Sequence, residues 1–250
     1  MNIQWNALQA NFDCVRRLLS TADCQGALVV LPELFATGFL VEDSPIEDTL
    51  EATSLFLSTL AQNLGCTIQG SALSVNDEGM RQNLVLVYDS TGNQIAKYQK
   101  LHTFRYGGEH LYFTSGKRIV QYPINDTLVA PFICYDLRFP EIFRHAVLQG
   151  AELFCVVANW PATRQAHWVS LLQARAIENQ CFVVGVNRVG DANGLTYEGA
   201  SLVVSPQGEI LARGGKYEEL IECELDLETL RVWRSKFPAL QDIRHEYLWL

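Results

Sequence analysis

Phe132-Ile133-Cys134-Tyr135-Asp136-Leu137-Arg138-Phe139-Pro140-Glu141 is the stretch of this 250-residue chain best suited to chemistry. An apolar run delivers a cysteine to a polar turn, and a helix-like segment from Ile142 to Leu148 follows. A thiol placed there leaves a packed strand near the positive end of a helix, which suits a nucleophile. Taken alone, such a cysteine is more often a core residue. Two other segments change that weighing. Leu28-Val29-Val30-Leu31-Pro32-Glu33 reads as a buried strand ending in a carboxylate, and Lys97-Tyr98-Gln99-Lys100-Leu101-His102 closes a hairpin-like stretch with an ammonium. Singly, Glu33 is a strand-end carboxylate and Lys100 a surface lysine. Together, a carboxylate, an ammonium and a thiol at the ends of strand-like runs make an amide-hydrolysing site. A free thiol has a pKa of roughly 8.5, so fast attack near neutral pH needs a base beside it.

In their order and flanks these segments resemble the nitrilase (carbon–nitrogen hydrolase) superfamily. Tyr135 to Pro140, Ala158-Asn159-Trp160-Pro161 and Ala174-Arg175-Ala176-Ile177-Glu178-Asn179 are similar to its omega-amidase branch, and the likeness runs from Trp5 to the C-terminus. The resemblance implies an α/β fold, a four-layer αββα sandwich with mixed sheets. It also implies a thioester route. Glu33 is then the base toward the thiol, the acid toward departing ammonia and the activator of water. Lys100 and the backbone N–H of Tyr135 are oxyanion donors, and Glu109, in Gly107-Gly108-Glu109-His110, is an auxiliary carboxylate that positions Lys100 and the substrate amide.

The substrates implied are small keto-acid amides, 2-oxoglutaramate and 2-oxosuccinamate. Their far carboxylate calls for a cation, best an arginine with forked donors. Arg138, Arg164 and Arg105 lie in or near the motifs. Arg105, five residues beyond Lys100, is placed to reach the mouth of the site, whereas Arg138, inside the nucleophile turn, is expected in a structural ion pair. Trp160 is expected to wall the site beside the thiol, and Phe35, two residues after Glu33, to form another wall. The chemistry needs no cofactor and no metal, and homodimers are common in the family.

The elements that must carry these groups follow from periodicity. Helical spacing appears over 11–22, 50–64 and 165–179, and strand patterns over 27–31, 67–73, 83–88, 94–100, 128–134, 153–158, 181–187, 201–204 and 210–213. Asp89-Ser90-Thr91-Gly92-Asn93 and Pro206-Gln207-Gly208 mark hairpin turns. Strands alternating with helices, yet joined in places by hairpins, favour mixed sheets over an all-parallel one. Residues 1–250 read as a single domain, since no linker or compositional break divides them. Only Met1 to Gln4 precede Trp5, where the family usually carries a strand.

A formal net charge of −9 and the lack of a basic stripe argue against nucleic acid. The three cations of Arg231 to Lys236 read as a solvated helix face. No apolar run approaches the ~18 residues of a membrane span, and no signal peptide is evident. Seven cysteines without CxxC spacing, mostly in apolar runs, suit a reducing cytoplasm and no metal site. His102 and His110 flank the lysine and glutamate motifs and are expected to support them by hydrogen bonds. A papain-like Cys–His pair, a serine elbow, HExxH and a Walker loop find no support in the chain. Two alternatives stay open: another amidase or carbamoylase of the superfamily, and a catalytically silent scaffold of the same fold. The apolar tail from Phe237 to Leu250 is expected to dock on its own sheet or on a neighbour.

Overall fold

Val85 and Val87 point one way from their strand, and Leu84, Leu86 and Tyr88 the other; this alternation sorts the molecule into layers. The computed structural model describes residues 1–39 and 49–247, apart from the side chain of His245. A first sheet has the order β1 (Leu28–Val30), β2 (Thr67–Val75), β3 (Arg81–Tyr88), β4 (Gln94–Gln99); β1 and β2 are parallel, and the rest are antiparallel. Its outer face is covered by α1 (Leu8–Leu19) and α2 (Leu50–Leu64), where Leu84, Leu86 and Tyr88 meet Phe12, Phe56 and Leu57. The rings of Phe12 and Phe56 stack at 3.9 Å.

The inner face meets a second sheet. It contains β5 (Tyr122–Ile124), β6 (Thr127–Ile133), β7 (Leu153–Ala158), β8 (Phe182–Asn187), β11 (Leu202–Val204) and β12 (Ile210–Arg213), in the order β12-β11-β8-β7-β6-β5. Its β6-β7-β8 centre is parallel and its flanks antiparallel. Val85, Val87, Ala96 and Tyr98 join Tyr122 and Val129 in one buried cluster between the sheets. On the far side lie α3 (Pro140–Leu148) and α4 (Gln165–Asn179). Phe143 of α3 stands 4.1 Å from the Phe132 ring, and Trp168 and Leu172 of α4 are fully buried. Each aromatic side chain so buried stabilises the fold by roughly 1.5–3 kcal/mol. The layers therefore run helix, sheet, sheet, helix, as the resemblance implied.

Glycine lets the outer layers close. A Cβ at Gly70 of β2 would stand 2.6 Å from Leu57 of α2, and one at Gly185 of β8 would stand 2.4 Å from Leu172 of α4.

Several boundaries differ from the sequence reading. The first helix begins at Leu8 rather than residue 11. Asn11 resembles an N-cap but is buried in the second turn, its amide donating to the carbonyls of Gln4 (2.6 Å) and Ala36 (2.8 Å). A short hairpin, β9 (Val189–Ala192) with β10 (Leu195–Glu198), had no pattern long enough to find. The last helix, α5 (Leu227–Lys236), is not simply a solvated face. Arg231 bridges Glu152 and Asp126, and Arg234 donates to the carbonyls of Gln180 and Ala151, both at 2.9 Å. Of the apolar tail, Phe237 and Tyr247 are exposed, while Leu248, Trp249 and Leu250 lie outside the described residues.

Candidate active site

Four strands end at one edge of the sandwich, and each delivers a polar residue. Beyond β1, Leu31-Pro32 leads into a turn holding Glu33, and Leu34 takes a left-handed φ of 46°. Beyond β4, Lys100 continues the ladder, its N–H donating to the carbonyl of Asn83 on β3 at 2.9 Å. Beyond β6, Cys134 opens a five-residue 3-10 turn with φ 45°. Beyond β7 comes Asn159. Left-handed backbone at a non-glycine residue is costly and is held only where surrounding structure dictates it. Two such residues lie at or next to expected catalytic positions.

Glu33, Lys100 and Glu109 are all but inaccessible to solvent. The Lys100 Nζ donates to Glu33 Oε1 and to both Glu109 oxygens, all at 3.0 Å. Glu33 Oε1 also accepts from Asn83 Nδ2 (2.8 Å), and its Oε2 accepts from the backbone N–H of Asn159 (2.8 Å). Asn159 Nδ2 in turn donates to the Glu33 carbonyl at 2.8 Å, fixing the turn that carries the acid. Glu109 accepts a short hydrogen bond from the N–H of Phe104.

The cluster carries two carboxylates and one ammonium. Burial alone would depress the Lys100 ammonium, but Glu109 and Glu33 outweigh it and hold lysine above its ordinary range. Burial pushes the Glu109 carboxyl up, only partly opposed by Lys100. The Cys134 thiol is pushed well above an ordinary thiol, first by burial and then by the charge of Glu33, with Lys100 opposing. A resting thiolate would add a second excess negative charge to this dry cluster. The arrangement therefore favours a neutral thiol.

Asp136 holds the nucleophile turn. It is fully buried, and its Oδ2 accepts from Tyr98 Oη (2.7 Å) and the Ile133 N–H (3.0 Å). Its Oδ1 faces both the N–H and the Nδ1 of His102 at 2.9 Å. Tyr98 lies in β4, and Lys100 and His102 follow in the run that leaves it. That run grips the nucleophile turn at its two ends and the carboxylates at its middle. His102 thus supports the site as expected, whereas His110 Nδ1 is buried with no partner among the described residues.

Glu33, Lys100 and Cys134 share a cavity of about 170 Å³, small beside the roughly 300–1,000 Å³ of pockets for drug-sized ligands. Trp160 lines it as expected, and so does Tyr135. Phe35 does not: it is buried beside the stacked rings of Phe12 and Phe56, 6.1 Å from each. The chain turns at Leu34, so the every-second-residue rule does not carry across. Phe39 lines the cavity instead, with Lys100 Nζ 5.4 Å from its ring centre. Arg105 is exposed and outside the cavity wall, which carries Arg138 and Arg164. Arg138 has no ion pair among the described residues; it lies 4.7 Å over the Trp160 ring, with Nη2 3.4 Å from His167 Nδ1. Among the described residues, no group of three or more His, Cys, Asp or Glu is placed to hold a metal ion.

A sequence model of the carbon–nitrogen hydrolase family matches residues 1–235. The chain is 40% identical over 224 residues to the omega-amidase YafV of Escherichia coli (strain K12), across 89% of this chain and 86% of that protein. It is 36% identical over 222 residues to the 2-oxoglutaramate amidase of Bacillus subtilis (strain 168), across 88% and 85%. A CN-hydrolase superfamily protein from Xanthomonas campestris, with an arsenic adduct in its active site, matches with a TM-score of 0.88 at 33% identity, over 97% of this chain and 94% of that one.

Proposed function

Because the chain belongs to the carbon–nitrogen hydrolase family, we propose that it is a thiol-dependent omega-amidase converting 2-oxoglutaramate or 2-oxosuccinamate to the keto dicarboxylate and ammonia. The observation that carries the reading is the buried Lys100, gripped by Glu33 and Glu109 at the wall of the small cavity that Cys134 enters.

Cys134 Sγ attacks the amide carbonyl carbon as its proton passes to Glu33. The carbonyl oxygen becomes an oxyanion, met by the Lys100 ammonium and the N–H of Tyr135, a first-turn donor with no partner inside its turn. Loss of one preorganised donor of this kind typically costs on the order of 3 kcal/mol. Glu33 returns the proton to the nitrogen as the C–N bond breaks, leaving ammonia and a thioester. A water then gives a proton to Glu33 and adds to the thioester carbon. Collapse of that adduct breaks the C–S bond, and Glu33 returns the proton to the sulfur. Glu109 keeps Lys100 aimed and charged, and Trp160 walls the acyl chain.

The enzyme is read as one catalytic domain, cytoplasmic and homodimeric. Seven unpaired cysteines support the compartment, and the exposed Phe237 and Tyr247 support association. No helix of the described residues is long and apolar enough to cross a membrane. Removal of the residues after Asp242 is expected to weaken the dimer on a sizing column; an unchanged elution volume would count against it. The activity is tested by ammonia release from 2-oxoglutaramate, glutamine and a simple nitrile, using wild type and Cys134→Ala. Release from 2-oxoglutaramate by wild type alone supports the reading; release by both proteins, or equal release from glutamine, overturns it.

A further inference from the structure

We propose that Arg164 binds the far carboxylate of the substrate and so selects anionic amides, an assignment that rests on the omega-amidase reading above. Three cations face the cavity: Lys100, Arg138 and Arg164. Lys100 is consumed by two carboxylates. Arg138 has its Cζ 4.7 Å from the Trp160 ring centre, and its Nη2 is already engaged with His167 Nδ1 at 3.4 Å. The guanidinium of Arg164 alone has no hydrogen bond or ion pair among the described residues. Its Cζ lies 5.6 Å from the centre of the Phe104 ring, and it stands within electrostatic reach of the Tyr197 hydroxyl.

The backbone beneath this arginine is fixed. Trp160 Nε1 donates to the Arg164 carbonyl at 2.8 Å, and the Arg164 N–H donates to Pro161 at 3.0 Å, closing a short turn ahead of α4. Its aromatic support is fixed too. The N–H of Phe104 is bonded to Glu109, and the Phe104 ring lies 5.0 Å from that of Tyr135. The cation is therefore braced against an aromatic plate tied to both the lysine–glutamate loop and the nucleophile turn. A cation–ring contact leaves the edge donors of a guanidinium for a carboxylate, which they meet two at a time.

Charge agrees with this. The chain carries a net charge of −9, so its surface as a whole does not attract an anion. Around the cavity the balance reverses: Glu33 in the wall and Glu109 behind it outweigh Lys100, and Arg138 and Arg164 more than restore the positive charge. A neutral amide gains nothing from Arg164, whereas an amide ending in a carboxylate neutralises it.

The test compares glutaramate with pentanamide, five-carbon amides that differ in the terminal carboxylate. Wild type is expected to prefer glutaramate in kcat/KM. Arg164→Gln should lose about 100-fold more on glutaramate than on pentanamide, chiefly through KM, and Arg164→Lys should fall between. A second readout needs no turnover. Glutarate should protect Cys134 from iodoacetamide in wild type, and roughly 100-fold more of it should be needed in Arg164→Gln. Thermal melts check that the variants fold. An Arg164→Gln protein that keeps the preference and the protection overturns this assignment alone. Equal losses on both amides also overturn it, by pointing to a structural role. A wild type without preference for the carboxylate overturns the omega-amidase reading and this inference together.

Discussion

Replacing Glu33 by glutamine removes one charge, yet no orientation of the new amide satisfies its surroundings. Both oxygens of Glu33 only accept: one from Asn83 Nδ2 and Lys100 Nζ, the other from the Asn159 N–H. Whichever way the glutamine turns, its NH2 meets a donor, and neither the ammonium nor the backbone N–H can become an acceptor. An unsatisfied buried donor costs about 1–3 kcal/mol. Loss of the proton acceptor removes a further factor of about 10²–10⁴. The first is a cost to folding stability; the second alone predicts a fall in kcat of about 10²–10⁴, or roughly 3–5 kcal/mol. The thiol moves the other way. After burial, the charge of Glu33 is the main reason Cys134 stays protonated, so Glu33→Gln should lower the thiol pKa. Iodoacetamide alkylation of Cys134 should then saturate at lower pH than in wild type, even as turnover collapses. Unfolding would also expose the thiol and lower its pKa, so a thermal melt showing a folded variant is part of the test. Ammonia release measures turnover, and mass spectrometry across pH measures alkylation. Turnover within tenfold of wild type, or an alkylation midpoint that moves upward, would refute the reasoning.

Lys100→Met leaves two buried carboxylates without a cation, which should cost about 3–5 kcal/mol at pH 8. Because the Glu109 carboxyl, raised by burial, would lose the charge that opposes the rise, stability is retained at low pH and lost as pH increases; melting curves at pH 5 and 8 that coincide would contradict this. In wild type the Glu109 carboxyl is already raised. It should take up a proton above the roughly 4.3 of a free glutamate and release its hold on Lys100, giving kcat/KM an acid limb above that value. The same raised pKa makes its contribution to stability present below the unfolded value and lost as pH rises, so activity should fall on acidification before the melting temperature does. Tyr98→Phe removes the 2.7 Å bond to Asp136 and should lower kcat with little change in KM, and a change confined to KM would place Asp136 outside the nucleophile turn's support.

The three motif positions were legible because each breaks a pattern. Glu33 and Cys134 each end an apolar run, and Lys100 ends the alternating stretch from Gln94. The strand order that gathers those ends is not local, and neither are the groups that tune them. Asn83 lies 50 residues from Glu33, and Asn159 lies 126 away. For Asn159 a signal existed, a polar residue directly after the buried strand Leu153–Ala158, within a quoted motif. For Asn83, on a strand with buried residues on both faces, there was none. Phe35 was misplaced for a physical reason: alternation holds along a strand, and Leu34 has already left it. The arginines could not be ranked from sequence because selection among them depends on which guanidinium is already engaged.

The left-handed backbone at Cys134 sets folding and function against each other at a single residue. A side chain there costs roughly 1–2 kcal/mol that glycine would not. Glycine would therefore relax the turn and abolish the nucleophile in one step. A lineage released from the need for the reaction has a downhill route to a sturdier, inert protein at this position. Screens that reward thermal stability alone would drift the same way, so any effort to harden this enzyme has to score turnover at the same time.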